Sequence, residues 1–167
     1  MRKRAFQDQI PNNFCFGCGP GNPQGLQLKS YWDGDESTAE FRPQLFHAAG
    51  SEQILNGGII ATLIDCHCIC TAIAHAYYLE GRVIGSTPLI WYATASLHVG
   101  YLRPTPINQP VTLRAQIIAE ETKKTTLHCT LSAAGEPCAR GEVLAIRVSE
   151  GWRRGNSACA DEGGRRV

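Results

Sequence analysis

Two features of this sequence have the residue types and spacing to act on a substrate together. Asn56-Gly57-Gly58 opens a long apolar, alanine-rich stretch, and Asp65 lies nine residues after Asn56. Asparagine is a good helix N-cap, and glycines behind it let a ligand oxygen approach the first N–H groups of a helix. Those N–H groups, at the positive end of the helix dipole, can hold a carbonyl or a developing oxyanion. The same three residues also read as a plain cap with glycines for close packing. Asp65 stands between Ile64 and a cysteine-rich apolar run. An unpaired carboxylate on a buried helix costs several kcal/mol or titrates above its usual range, which marks candidate functional groups. A neighbouring hydroxyl or a subunit contact would equally satisfy it.

Helix geometry constrains how the two could cooperate. At ~1.5 Å and ~100° per residue, Asp65 falls roughly 13–14 Å along the axis from Asn56 and about 180° around it. One helix therefore cannot present both to one small reacting group. If both act, the site joins the helix start of one subunit to Asp65 of another, and a twofold dimer carries two equivalent composite sites.

Sulfur and imidazole form a third group: Cys15-x-x-Cys18, then Cys66-His67-Cys68-x-Cys70 and His75. A lone C-x-x-C is weak evidence for zinc, and a tetrahedral set needs a second, similarly spaced pair brought close in space. Cys66 and Cys70 share a helix face at i, i+4. Small core thiols are the commoner reading of such a run, so no metal site is expected. The sequence has no Gly-rich phosphate loop, G-x-S-x-G elbow or dinucleotide fingerprint, which leaves serine-triad and nucleotide-dependent mechanisms without support.

The elements that must position these residues follow from the pattern. Residues 1–25 are rich in Pro, Gly and Asn and read as a loop segment. Leu26–Tyr31 and Ser37–Arg42 read as a hairpin about Asp33-Gly34. From Asn56 to about Tyr78, Ile59, Ile60, Leu63, Ile64, Ile69 and Ile73 recur at helical steps, closed by Gly81. The helix is apolar around most of its circumference and so reads as central.

Four alternating strands follow: Trp91–Leu102, Val111–Glu120, Thr125–Ala133 and Cys138–Val148. In the first, Trp91, Ala93, Ala95, Leu97, Val99 and Tyr101 take one face, and Tyr92, Thr94, Ser96, His98 and Gly100 the other. The class is α+β, with one domain over residues 1–150 and an aperiodic tail, expected to be flexible or docked on a partner, over 151–167.

The chain has 167 residues, a formal net charge of +1 and eight cysteines. That charge gives no footprint for nucleic acid or an acidic membrane. No apolar run looks long enough for a span and no secretory leader is evident, so a cytoplasmic protein is expected.

Three stretches carry a family resemblance. They are Cys15-Phe16-Gly17-Cys18-Gly19-Pro20-x-Asn22-Pro23-x-Gly25-Leu26, Asn56-Gly57-Gly58-Ile59-Ile60-Ala61-Thr62-Leu63-Ile64-Asp65, and Val99-Gly100-Tyr101-Leu102-Arg103-Pro104-Thr105-Pro106. Over about residues 14 to 148 the chain resembles the hotdog-fold acyl-CoA thioesterases of the 4-hydroxybenzoyl-CoA and phenylacetate-pathway group. The resemblance implies a long helix wrapped by a curved antiparallel sheet, paired as a homodimer and often as a dimer of dimers. It implies a glycine N–H at Gly57 or Gly58 that polarises the thioester carbonyl, and Asp65 of the opposing subunit acting as nucleophile or base. A hydroxyl at the position of Thr94 places the water, and coenzyme A enters as part of the substrate, with no other cofactor. Arg103, Lys123 and Lys124 could meet its phosphates. Asn56 departs from the histidine usual at that position; it caps and donates but cannot titrate near neutral pH. A hotdog hydratase or dehydratase using His67 or His75, a non-catalytic acyl-CoA binding protein, and a metal or redox protein built on the cysteines are the alternatives.

Overall fold

The computed structural model describes residues 4–153 and 155. The chain runs β1 (Lys29–Asp33), β2 (Glu36–Phe41), α1 (Gly57–Leu79), β3 (Trp91–Tyr101), β4 (Val111–Glu120), β5 (Lys124–Ala133), β6 (Glu136–Val148) and a last turn, α2 (Glu150–Arg153). The strands form one antiparallel sheet in the order β1-β2-β4-β5-β6-β3. The sheet curves around α1, the helix-in-sheet arrangement the sequence predicts.

Local chemistry explains the ends of α1. The Asn56 side chain caps the start, accepting from the Gly58 and Ile59 N–H groups. At the other end Gly81 takes φ +63°, a left-handed conformation glycine reaches without penalty. There the Gly81 N–H donates to the Tyr78 carbonyl and the Arg82 N–H to that of Tyr77, a Schellman closure.

Burial runs almost all the way around α1: Leu63, Ile64 and His67 are each 0% exposed, and Cys68, Ile73 and Tyr77 are buried with them. Each large apolar side chain removed from water here contributes about 1.5–3 kcal/mol. By length and hydropathy α1 would qualify as a membrane span, contrary to the sequence expectation, because its cysteines, alanines and isoleucines count as apolar. The sheet covers those residues instead. It approaches so closely at Gly141 that an added Cβ would lie 2.4 Å from Ile64 Cγ2. One stripe of α1, formed by Thr62, Asp65 and Ile69, stays half-buried, with exposed Gly58 at its upper end.

Two expectations change. Residues 1–25 do more than loop: Gln7–Gln9 form a 3-10 turn, and Ala5, Phe6 and Ile10 are buried in or beside the core. In the tail assigned to 151–167, the first residues continue as α2, and the Arg153 guanidinium lies 5.4 Å from the Trp91 ring centre. The rest of that segment, apart from Gly155, lies outside the described residues.

Candidate active site

A cavity of about 240 Å³ opens between α1, the N-terminal segment and β3. Its walls include Asp65, Ile69, Trp91, Tyr92, Thr94 and Trp152. Thr94 reaches across from β3, and its hydroxyl donates to Asp65 Oδ1 at 2.5 Å. Among the described residues Asp65 Oδ2 has no hydrogen-bond partner, and Asp65 lines the cavity. Burial pushes the Asp65 carboxyl above its usual range, the Thr94 hydrogen bond pulls the other way, and charge on Cys18 adds to the rise. The result is a carboxylate held in one orientation, poorly hydrated and readier than usual to accept a proton.

A bulge makes this geometry possible. Thr94 and Tyr101 are an odd number of positions apart and would point to opposite faces of a regular strand. The register between β3 and β6 shifts between Thr94 and Ser96. The extra residue, Ala95, reverses the alternation. Tyr92 is therefore buried on the Thr94 side of the shift, while Leu97 and Val99 pack on the core beyond it. Both Thr94 and Tyr101 reach α1, which corrects the single unbroken alternation expected for β3.

The start of α1 differs from expectation in one respect. Gly58 is not an open donor: its N–H is held by Asn56 Oδ1 at 2.7 Å. Capping satisfies that group from within, which leaves the Gly57 N–H, with no acceptor among the described residues, as the open donor. The Tyr101 hydroxyl donates to the Gly57 carbonyl at 2.7 Å. A Cβ on Gly57 would come within 3.3 Å of that same hydroxyl. Tyr101 thus fixes the peptide carrying the open end of the helix. Its position near the end of β3 in the Val99–Pro106 stretch gave no role in the sequence, because the separation of 44 positions from Gly57 hides the contact.

The proposed cations do not gather in one chain. Arg103 follows β3, its backbone N–H contacts the Cys138 carbonyl, and its guanidinium pairs with Glu136 at 2.7 Å. Lys123 and Lys124 lie at the opposite end of β6, where Lys124 is opposite Ile146. Eight positions of strand, about 26 Å at ~3.3 Å each, separate the two ends. Antiparallel connectivity therefore prevents one protomer from placing all three on one phosphate cluster.

The aromatic and histidine candidates also separate. Trp91 and Tyr92 line the cavity. Tyr77 is buried, donating to the Ser86 carbonyl and accepting from the Ile90 N–H, and Tyr78 is 75% exposed elsewhere. His67 is sealed in the core. Its Nε2 donates to the Ser37 carbonyl at 3.3 Å, and Nδ1 accepts from the Ser30 hydroxyl at 2.8 Å, which is held in turn by Gln7. Burial lowers its pKa to about 4, so it stays neutral and out of reach of any substrate. His75 pairs with Glu120 outside this cavity. Neither histidine is placed to serve hydratase chemistry there.

This arrangement, one helix cradled in a curved six-stranded antiparallel sheet with a half-buried aspartate facing a strand hydroxyl, is the hotdog fold. Solved structures share this architecture. A thioesterase superfamily protein from Shewanella loihica PV-4 is 35% identical over 77% of this chain and 97% of its own, with a TM-score of 0.60. The PaaI protein of the E. coli phenylacetic acid degradation operon is 13% identical, covers 74% of this chain and 81% of its own, and has a TM-score of 0.60. A phenylacetic acid degradation-related protein from Ralstonia eutropha JMP134 is 13% identical, covers 78% and 92%, and has a TM-score of 0.61. At that identity the last two show the fold alone. No family model matches the sequence, and no curated protein matches it. On the first of these likenesses the chain belongs to the thioesterase superfamily.

Proposed function

We propose that the protein hydrolyses an acyl-coenzyme A thioester to the free acid and coenzyme A, in a site shared by two protomers. The observation that carries the reading is the Thr94–Asp65 hydrogen bond at the mouth of the cavity, which leaves Oδ2 free to hold a water. The thioester oxygen accepts from the Gly57 N–H of one protomer, and Asp65 of the partner subunit takes a proton from the water. The hydroxide adds to the carbonyl carbon, the oxyanion is held at the helix start, and the intermediate collapses with cleavage of the C–S bond. The proton on the carboxyl then passes to the departing thiolate.

Two further observations support a shared site. Gly57 and Asp65 sit at separated points of one helix, so a single protomer does not bring them to one carbonyl. β3 is an edge strand of eleven residues, hydrogen-bonded among the described strands only to β6. Long open edges are aggregation-prone unless paired or covered, and a second copy paired along β3 would satisfy this one. Arg103, at the Tyr101 end of β3 and paired with Glu136, is the cation we assign to a phosphate near the Gly57 N–H, and Lys123 and Lys124 of the same chain lie at the far end of β6. A cavity of about 240 Å³ exceeds the ~150 Å³ void that accepts benzene, so an aromatic or short aliphatic acyl group is the favoured class. We place the enzyme in the cytoplasm, in keeping with seven free thiols among the described residues.

The test is hydrolysis of an acyl-CoA panel followed by thiol release, with Asp65→Asn beside the wild type. Turnover that depends on Asp65 supports the reading. Full activity in the variant removes Asp65 from it, and tight binding without turnover would make the protein a non-catalytic acyl-CoA binder.

A further inference from the structure

The cysteines set aside as core residues do not all behave as core. The N-terminal segment folds back on α1 so that Cys15, Cys18 and Cys66 place their sulfurs within 4.8 Å of one another. Cys15 Sγ is 3.5 Å from Cys66 Sγ, and Cys18 Sγ is 3.7 Å from Cys70 Sγ. A zinc ion with Zn–S bonds of ~2.3 Å spaces its tetrahedral sulfurs about 3.8 Å apart. On the helix side Cys66 completes this trio, and Cys70, one turn further along and in contact with Cys18, lies outside the 4.8 Å group.

The backbone is shaped for this meeting. Gly17 lies between the two loop cysteines, and a Cβ there would sit 2.3 Å from Cys66 Sγ and 2.8 Å from Thr62 Cγ2. Only glycine lets the loop settle this deeply on the helix. Gly19 follows directly, its N–H closing a turn onto the Cys15 carbonyl at 2.8 Å. Cys68 has turned away: its neighbour is Cys129, on β5.

We infer that Cys15, Cys18 and Cys66, with Cys70 as the fourth donor, bind a thiophilic divalent cation, zinc in the first instance, that staples residues 15–18 to α1 beside Asp65. Binding exchanges the thiol protons for metal–sulfur bonds without any change of oxidation state. Because the loop forms a wall of the cavity, the staple fixes the shape of the pocket and stays separate from the proton transfers assigned to Asp65. The inference does not depend on thioesterase activity.

The experiment is metal analysis of the full-length protein purified under reducing conditions, followed by chelation and titration with Co²⁺ and then Zn²⁺. About one zinc per chain is expected, together with intense sulfur-to-cobalt charge transfer and tetrahedral ligand-field bands that Zn²⁺ erases. Cys15→Ser, Cys18→Ser and Cys66→Ser should each reduce occupancy at least tenfold, while Cys138→Ala, distant on β6, retains it. The wild-type cobalt spectrum decides the matter even where a serine variant fails to fold. Folded, fully reduced wild type that takes up neither ion overturns the inference, as does a Cys15–Cys66 disulfide in protein kept under reductant. Unchanged affinity in Cys70→Ser would overturn its place as the fourth ligand.

Discussion

Asp65 and His67 stand two residues apart on the same apolar helix, and their surroundings are opposite. His67 spends both ring nitrogens on Ser30 and Ser37, inside a chain that continues to Gln7 and Thr71. Asp65 lines a cavity, with one oxygen held by Thr94 and the other without a hydrogen-bond partner among the described residues. Burial moves both pKa values toward the neutral form, the acid up and the base down. Displacement of a pKa therefore does not separate a structural group from a reactive one. What separates them is whether a lone pair is left for a substrate or a water.

The contrast breaks most sharply at Asp65 itself. Asp65→Asn should lower kcat by about two to four orders of magnitude, the usual worth of a positioned acid–base group, while the melting temperature at neutral pH holds or rises. The sign follows from the raised pKa: a carboxyl that titrates higher in the folded state is least costly when protonated, and its contribution is lost as pH rises through the folded value. A neutral amide removes that loss. A drop in both activity and melting temperature would place Asp65 with His67 as a structural residue.

For His67 the sign is reversed. Its folded pKa, about 4, lies below the ordinary value near 6.5, so the unfolded chain binds the extra proton between those limits. Stability should be complete above pH 6.5 and fall by about 3 kcal/mol as pH drops toward 4, at 1.36 kcal/mol per unit. Denaturant titrations across that window test it, and His67→Gln should flatten the dependence without changing kcat of the folded enzyme. A pH-rate profile that lost its acid limb in His67→Gln would contradict the assignment.

Smaller effects sharpen the picture. Thr94→Val removes a hydrogen bond that lowers the Asp65 pKa; the acid limb of kcat/KM should move to higher pH and kcat fall about tenfold, the worth of one hydrogen bond to a charged group. Tyr101→Phe loses only the contact to the Gly57 carbonyl. A decrease in kcat/KM of about fivefold, equivalent to ~1 kcal/mol, with an unshifted pH profile is expected.

Those residues also show how far the sequence could be read. Asn56, Gly81 and the isoleucine steps define α1 to within a residue, because caps and periodicity are local. Strands β4 and β5 follow their alternation closely for the same reason. Non-local facts were not legible. Capture of the Gly58 N–H depends on an Asn56 rotamer, the Thr94 and Tyr101 directions depend on a one-residue bulge at Ala95, and the separation of Arg103 from Lys124 depends on strand order. The approach of Cys15 and Cys18 to Cys66 and Cys70 required a fold-back of the N-terminal segment that no spacing encodes.

The central claim, a carbonyl held at Gly57 of one protomer and attacked with help from Asp65 of the other, is open to complementation. Gly57 is the first residue of α1, where proline is well tolerated, and Asn56 has the extended ψ of 134° that suits a residue before proline. Gly57→Pro therefore deletes the open N–H and keeps the helix, with Gly57→Ala as the control for the crowding of Tyr101 that any Cβ there brings. Gly57→Pro and Asp65→Asn should each be inactive alone. Mixed in equal amounts and allowed to exchange subunits, they form mixed dimers with one intact site in two, and about a quarter of wild-type activity should return. Mixed dimers that form and stay inactive, or either variant active by itself, would contradict the shared site.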